Sequence, residues 1–321
     1  MAAKRSKSNK ALDWLVYALA RVAILFVTMV RVRALYGFAR GLGYLGYYLD
    51  ARHRRLTRRQ IRQSFPDWPE RRVRRVAIQA MQSIVMLALE TFIVSRRINL
   101  LSWRRHIRLK GMQRLLRMLV SEPGGTILLT GHYGNWEVAG FVLATLGFPA
   151  VVVARPLDNR YLDRYLRGLR EQAGLRVVDK KGAVGPVDEV LDGGGAVCFV
   201  ADQDAGRKGI FVDFLGHSAS TFRAVALLAL RHEVPVVVTY AKRLGDTFLF
   251  ELGVARIIRP ADWADRDDPV HWITQTYTEA LAGVVRADPG QYFGWAHRRW
   301  KTQPGTRGCK LRKARPTSAA S

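Results

Sequence analysis

The chain has 321 residues, 49% of them hydrophobic, enough to bury a sizeable core as one large domain or two small ones. It carries 52 Lys+Arg against 26 Asp+Glu, a formal net charge of +26, which calls for an anionic partner: nucleic acid, anionic lipid headgroups or an acidic protein. Its two cysteines, Cys198 and Cys309, form neither a disulfide framework nor a zinc spacing, so a disulfide scaffold and a zinc module are excluded and no metal is expected.

Basic residues Lys4, Arg5, Lys7 and Lys10 precede an apolar stretch from Trp14 to Val30, interrupted by Arg21 and closed by Arg31 and Arg33. No small-residue cleavage site follows it, which argues against a removable signal peptide. The run falls slightly short of the ~20 apolar residues of a full span, and an Arg near its middle costs ~2.5–3.5 kcal/mol on insertion. The expectation is a membrane-associated helix, spanning or interfacial, with Arg21 snorkelling to the headgroups in the second case. Tyr36, Phe38, Tyr44, Tyr47 and Tyr48 then suit an interface belt or a core. Gly41 to Gly46 spells G-x-G-x-x-G, but the residues before it read as helix rather than strand. A dinucleotide fingerprint is therefore rejected in favour of close helix or lipid contact.

Arg52 to Arg75 carries ten arginines opposed only by Asp67 and Glu70. As a juxtamembrane cluster it would attract anionic lipid at ~1 kcal/mol per residue; the alternative is a solvated helix face. Ser64 to Pro69 reads as a loop and helix start. Val73, Val76, Ala77, Ala80, Met81, Ile84, Val85 and Ala88 then recur at helical spacing and make one apolar face.

From Ile107 the pattern changes. Residues 126–129, 150–153, 176–178, 196–200, 234–240 and 248–254 read as strands, the last two compatible with a hairpin turning at Leu244-Gly245-Asp246. Residues 138–146, 160–172, 187–191, 222–231 and 268–286 read as helices. This alternation predicts an α/β layered fold with a mixed, largely parallel sheet, whose active residues collect at the carboxyl ends of the strands. The expected organisation is a membrane-associated helical segment at 1–50, a catalytic domain at 51–301 and a basic disordered tail at 302–321.

His132 follows the strand 126–129 and Glu137 opens the next helix, within Gly131-His132-Tyr133-Gly134-Asn135-Trp136-Glu137. A turn of this length lets the two side chains converge, so Glu137 is expected to hold one ring nitrogen of His132 while the other takes a proton from an attacking hydroxyl. This is the Ser-His-Asp logic with substrate in the place of serine. Gly131 and Gly134 let the backbone approach the reacting group, and amides of residues 131–134 are candidate oxyanion donors. Arg155-Pro156-Leu157-Asp158-Asn159 and Ala201-Asp202-Gln203-Asp204 end two further strands and belong on the same sheet edge. Asp158 or Asn159 is also placed to cap a helix, and Asp202 to bind loop amides.

With Gly209-Ile-Phe-Val-Asp-Phe-Leu-Gly216 and Gln291-Tyr-Phe-Gly-Trp-Ala-His-Arg-Arg-Trp-Lys301, these blocks resemble, in order and over residues 30–301, the bacterial lipid A biosynthesis (lauroyl/myristoyl) acyltransferase family. The resemblance implies a glycerolipid-acyltransferase-like fold and a bacterial inner-membrane enzyme facing the cytoplasm. Such an enzyme moves a fatty acyl chain from acyl carrier protein or a coenzyme A thioester onto a glycolipid hydroxyl, without a cofactor. It maps a His/acid dyad onto His132 and Glu137. It places substrate binding at Asn135, Arg155, Asp158, Asp202, Gln203 and Asp204, with Arg223 as a further candidate for phosphate. Arg298, Arg299 and Lys301, beside Trp295 and Trp300, suit headgroups or a basic helix face. His217 and Ser218 depart from the family pattern, which usually has Arg or Lys and Pro there, and leave the acceptor open, a mannosylated phospholipid or lipopeptide included.

Other readings are weaker. The most basic stretch adjoins an apolar segment rather than forming a recognisable reading helix, which disfavours nucleic acid. Gly216-His217-Ser218-Ala219-Ser220 breaks G-x-S-x-G at its last position, which disfavours a serine hydrolase. The intact blocks argue against an inactive scaffold.

Overall fold

The computed structural model describes residues 10–304 except Pro123 and Arg298; Lys4, Arg5, Lys7 and most of the predicted tail lie outside the described residues. Four helices open the chain: α1 (Lys10–Met29), α2 (Val32–Leu49), α3 (Ala51–Ser64) and α4 (Glu70–Arg97). The short α5 (Trp103–His106) leads into β1 (Ile107–Lys110) and α6 (Met112–Ser121). The alternating body follows as β2 (Thr126–Thr130), α7 (Trp136–Thr145), β3 (Ala150–Ala154), α8 (Arg160–Gln172), β4 (Leu175–Asp179), α9 (Val184–Asp192) and β5 (Ala196–Val200). A hairpin of β6 (Ile210–Phe214) and β7 (His217–Thr221), then α10 (Ala224–His232), β8 (Val236–Arg243), β9 (Phe250–Ile258), α11 (Pro260–Trp263) and α12 (Pro269–Ala287), complete it.

The seven-stranded sheet has the order β1-β9-β8-β2-β5-β3-β4. Pairing is parallel from β8 through β2, β5 and β3 to β4, and β8–β9 is the antiparallel hairpin expected around Gly245. The mixed, largely parallel α/β architecture is therefore as the sequence predicts. Strand residues alternate between faces: Ile127 and Leu129 join a core closed by α9, α10 and α12. Leu128 faces the opposite side with α6 and α7.

The boundary placed at residue 50 falls at the corner between α2 and α3, and α2 packs along α4. Leu35, Tyr36, Ala39, Gly43 and Tyr47 form its buried face. A Cβ on Gly43 would lie 2.5 Å from the Gln82 Cα, so this glycine serves close helix contact. The opposite face of α2 is apolar yet exposed at Phe38, Leu42, Leu45 and Leu49. On α3, Arg52, Arg55, Arg59 and Arg62 share one exposed stripe, while Thr57, Gln60 and Ile61 are buried. α1 is long and apolar enough to cross a membrane and is almost wholly uncovered. Its Arg21 is exposed; it donates to the Tyr17 hydroxyl at 2.8 Å and lies 4.6 Å over the Tyr165 ring of α8, a cation–π contact that joins α1 to α8.

Candidate active site

β2 and β5 are neighbours in parallel register, with Thr130 opposite Val200. Two residues beyond each strand end stand His132 and Asp202, and this register brings them together. The Asp202 carboxylate is buried and spends both oxygens on His132: Oδ1 lies 2.6 Å from the ring Nδ1, and Oδ2 accepts from the backbone N–H at 2.8 Å. A carboxylate at Nδ1 fixes the proton there and leaves Nε2 as the nitrogen with the free lone pair. The side-chain amide of Gln203, which is exposed, stands 3.4 Å from Nε2. Burial pulls the Asp202 carboxyl upward, but the His132 charge, its two hydrogen bonds and nearby Arg299 outweigh it and hold the group below its ordinary value.

Glu137, expected at the ring of His132, is turned away from it. It sits in the first turn of α7 and faces the last turn of α8, where Arg170 donates to it from Nε at 2.9 Å and Nη2 at 2.7 Å. A bidentate guanidinium takes both of its oxygens, and Asp202 holds the imidazole instead. Three of the loop amides expected as oxyanion donors, those of residues 132–134, are already engaged. The N–H groups of His132, Tyr133 and Gly134 donate to Asp202, to the Gly131 carbonyl and to the Gln291 carbonyl.

Asn135 is fully buried. Its Oδ1 caps α7 by accepting from the Val138 N–H at 3.1 Å, and its Nδ2 donates to Glu90 at 2.8 Å, so it holds the loop rather than meeting substrate. Gly134 has φ +58°, and a Cβ there would lie 1.8 Å from the Ala241 carbonyl oxygen, which explains the glycine.

Arg155 and Asp158 follow β3, beside β5, on the same sheet edge as His132; both are exposed and face each other at 3.8 Å. Asn159 caps α8. Asp204 accepts from the N–H and hydroxyl of Thr302 and from the Gly206 N–H, so it ties loops together. Arg223 is exposed at the start of α10. Of the basic group near the end, Arg298 lies outside the described residues, and Arg299 is buried, donating to the Ser220 carbonyl at 2.7 Å and the Thr221 hydroxyl at 2.6 Å; it serves the fold and not a headgroup.

Beside His132 lies an apolar cavity of about 100 Å³, open on one side, between the sheet and helices α6 and α7. Trp136, Ala139, Gly140 and Leu143 give it one face of α7, and Leu128, Thr130 and Cys198 give it a floor. Trp136 also packs edge-to-face on the His132 ring, at 4.7 Å between centroids, so the cavity wall reaches the imidazole. The Glu137–Arg170 pair sits in that wall. Burial pushes the Cys198 thiol up to about 12, so it lines the cavity as an inert neutral group.

The sequence reading misses Arg170, which ordinary helical spacing hides, and Glu90 with its partner Arg243. A signal for Glu90 exists: it is the one acid in α4 after Glu70 and lies on the buried face that Val73 and Val76 begin.

Residues 2–302 match the family described as bacterial lipid A biosynthesis acyltransferase. Similar proteins include a lipid A biosynthesis lauroyltransferase of Escherichia coli, 25% identical over 84% of this chain and 86% of that protein. A lipid A biosynthesis acyltransferase of Haemophilus influenzae is 26% identical over 82% and 83%. A phosphatidylinositol mannoside acyltransferase of Mycolicibacterium smegmatis is 33% identical over 52% of this chain and 54% of its own length.

Proposed function

This chain belongs to the bacterial lipid A biosynthesis acyltransferase family and is an acyltransferase, and from that premise we propose that it moves a fatty acyl group from a thioester donor onto a hydroxyl of a membrane glycolipid. The observation that carries the reading is His132, held at Nδ1 by buried Asp202 and walled by the Trp136 that also lines the apolar cavity. The donor is the thioester of an acyl carrier protein or coenzyme A, and its hydrocarbon chain enters the cavity, where burial contributes ~0.8 kcal/mol per methylene.

His132 Nε2 takes the proton of the acceptor hydroxyl as its oxygen attacks the thioester carbonyl. The tetrahedral intermediate collapses, the carbon–sulfur bond breaks, and the imidazolium returns the proton to the leaving thiolate. Asp202 stabilises the imidazolium between these steps. Gln203, at Nε2 in the resting site, gives way to the acceptor hydroxyl and becomes a donor to it or to the oxyanion. Glu137 and Arg170 shape the cavity wall, and exposed Arg155 and Arg223 meet phosphates of donor or acceptor.

The exposed apolar faces of α1 and α2, next to the arginine stripe of α3, support a seat on the cytoplasmic side of the bacterial inner membrane, with the arginines toward anionic headgroups. Mass spectrometry of lipids from a strain lacking the protein tests the assignment. A glycolipid one acyl chain short should accumulate, and an unchanged glycolipid profile would refute it.

A further inference from the structure

Glu90 is fully buried in α4, far along the chain from His132, and nothing in the proposed chemistry uses it. Its Oε1 accepts from the Tyr36 hydroxyl of α2 at 2.5 Å and from Arg243 Nε at 2.5 Å; its Oε2 accepts from Arg243 Nη2 at 2.7 Å and from Asn135 Nδ2 at 2.8 Å. A carboxylate offers about four lone-pair sites, and all are occupied, so the group has no freedom to turn.

The contacts continue into a closed circuit. Gln291 grips the backbone of Arg243 through its side chain, accepting from the N–H at 2.8 Å and donating to the carbonyl at 3.0 Å. The Gln291 carbonyl then accepts from the Gly134 N–H at 3.0 Å, and Gly134 is bonded covalently to Asn135. Residues of α4, β8, the segment after α12 and the loop after β2 thus close one ring around the residues that follow His132. A buried ion pair is poor at adding net stability compared with apolar packing. What this one supplies is a fixed geometry, and the geometry it fixes is the loop that carries the general base.

We infer that Glu90 is a positioning residue for the acyl transfer: through Asn135 and the Arg243–Gln291 bridge it sets where the His132 ring stands against Asp202. The inference rests on the proposed acyl transfer at His132. Apolar side chains of the same bulk would fill the space, but they would leave Asn135 without its partner and free the loop to shift. Because Tyr36 belongs to α2, whose far face is exposed and apolar, the same ring ties that helix to the site.

Asn135→Ser tests the inference in the full-length protein. Serine keeps an acceptor for the Val138 N–H, so the cap of α7 survives, but the donor to Glu90 is gone. With a labelled acyl-coenzyme A or acyl carrier protein donor and a bacterial lipid extract as acceptor, kcat should fall at least about tenfold, one decade in rate. KM for the donor should hold within a factor of about two, as expected when an interaction of the transition state alone is lost. Glu90→Gln, which leaves Arg243 without a carboxylate, should show the same fall in kcat at unchanged KM. A merely structural role would lower the active fraction in step with the melting temperature and leave kcat per folded molecule in place, and that result overturns the inference. Unchanged kcat in both variants does so as well. If wild type itself transfers no acyl group, or if His132→Ala keeps full activity, the proposed function falls first; loss in His132→Ala with full activity in both other variants removes this inference alone.

Discussion

Replacing Asp202 by Asn separates the two carboxylates that compete for the role of partner to His132. Asp202 meets two N–H donors of one residue with two acceptor oxygens. Asn supplies one oxygen and one NH2 group, so one His132 N–H must face a donor. That lost hydrogen bond to a charged acceptor is worth ~1.5–3 kcal/mol, but it is present in the resting enzyme as well and weakens catalysis only in part. The loss specific to the reaction is the attraction between carboxylate and the imidazolium that forms as the hydroxyl is deprotonated. For unit charges ~4 Å apart at an effective dielectric constant of ~20, this is ~4 kcal/mol. At ~1.4 kcal/mol per decade the expected fall in kcat is about a thousandfold, with KM for both substrates nearly unchanged.

Glu137→Gln breaks the pair with Arg170 in the cavity wall and leaves His132 its partner, so its cost in kcat should be at least about tenfold smaller. Initial rates of acyl transfer at saturating donor and acceptor measure both. Asp202→Asn within about threefold of wild type, or Glu137→Gln the more damaging of the two, would refute the assignment. The same variant has a stability signature. The folded carboxyl lies below the unfolded value of 3.8, so the folded state releases its proton first. Its contribution is complete above that unfolded value and is lost as pH falls through the lower folded one. The difference in urea midpoint between wild type and Asp202→Asn should therefore hold through neutral pH and close only in acid below about pH 4.

Gly134→Ala forces a Cβ onto the Ala241 carbonyl at a positive φ. The conformation costs ~1–2 kcal/mol and the overlap adds to it, so the melting temperature should drop by several degrees with loss of activity; an unchanged melt would show that the loop has another geometry. Gly140→Leu places four carbons at the cavity face of α7 and should reduce transfer from long-chain donors at least about tenfold more than from short-chain ones, which competition between two chain lengths reads directly. Equal losses for both lengths would remove the acyl chain from this cavity. Arg55→Glu with Arg59→Glu reverses two exposed charges on α3 that have no ion-pair partner among the described residues. At ~1 kcal/mol per charge near an anionic surface, binding to phosphatidylglycerol vesicles should weaken markedly while binding to neutral vesicles stays constant.

Much of the fold is legible because its signals are local. Apolar runs such as Ala196–Val200 announce buried parallel strands, and the boundaries of Arg160–Gln172 follow from helical spacing and the Asn159 cap. The β6–β7 hairpin was readable only as family blocks, since His217–Thr221 is short and polar and has no apolar alternation. The site divides in the same way. His132 is visible at a strand end between glycines, but its partner depends on strand order, which no local pattern encodes. Proximity in sequence favours Glu137; the β2–β5 register favours Asp202, and the register decides. Glu90 and Arg243 lie 153 positions apart, and only the packing of α4 against the end of β8 makes them a pair.

Whether acyl transfer runs on His132 is decided by a reconstituted reaction. Full-length protein in phosphatidylglycerol-containing vesicles is given a labelled acyl thioester and a bacterial glycolipid extract, and labelled lipid is followed by mass for wild type and His132→Gln. Wild type should yield a glycolipid heavier by one acyl group, and His132→Gln about a thousandfold less or none, the scale of losing a general base together with the imidazolium it forms. Equal rates from the two proteins would contradict acyl transfer at His132.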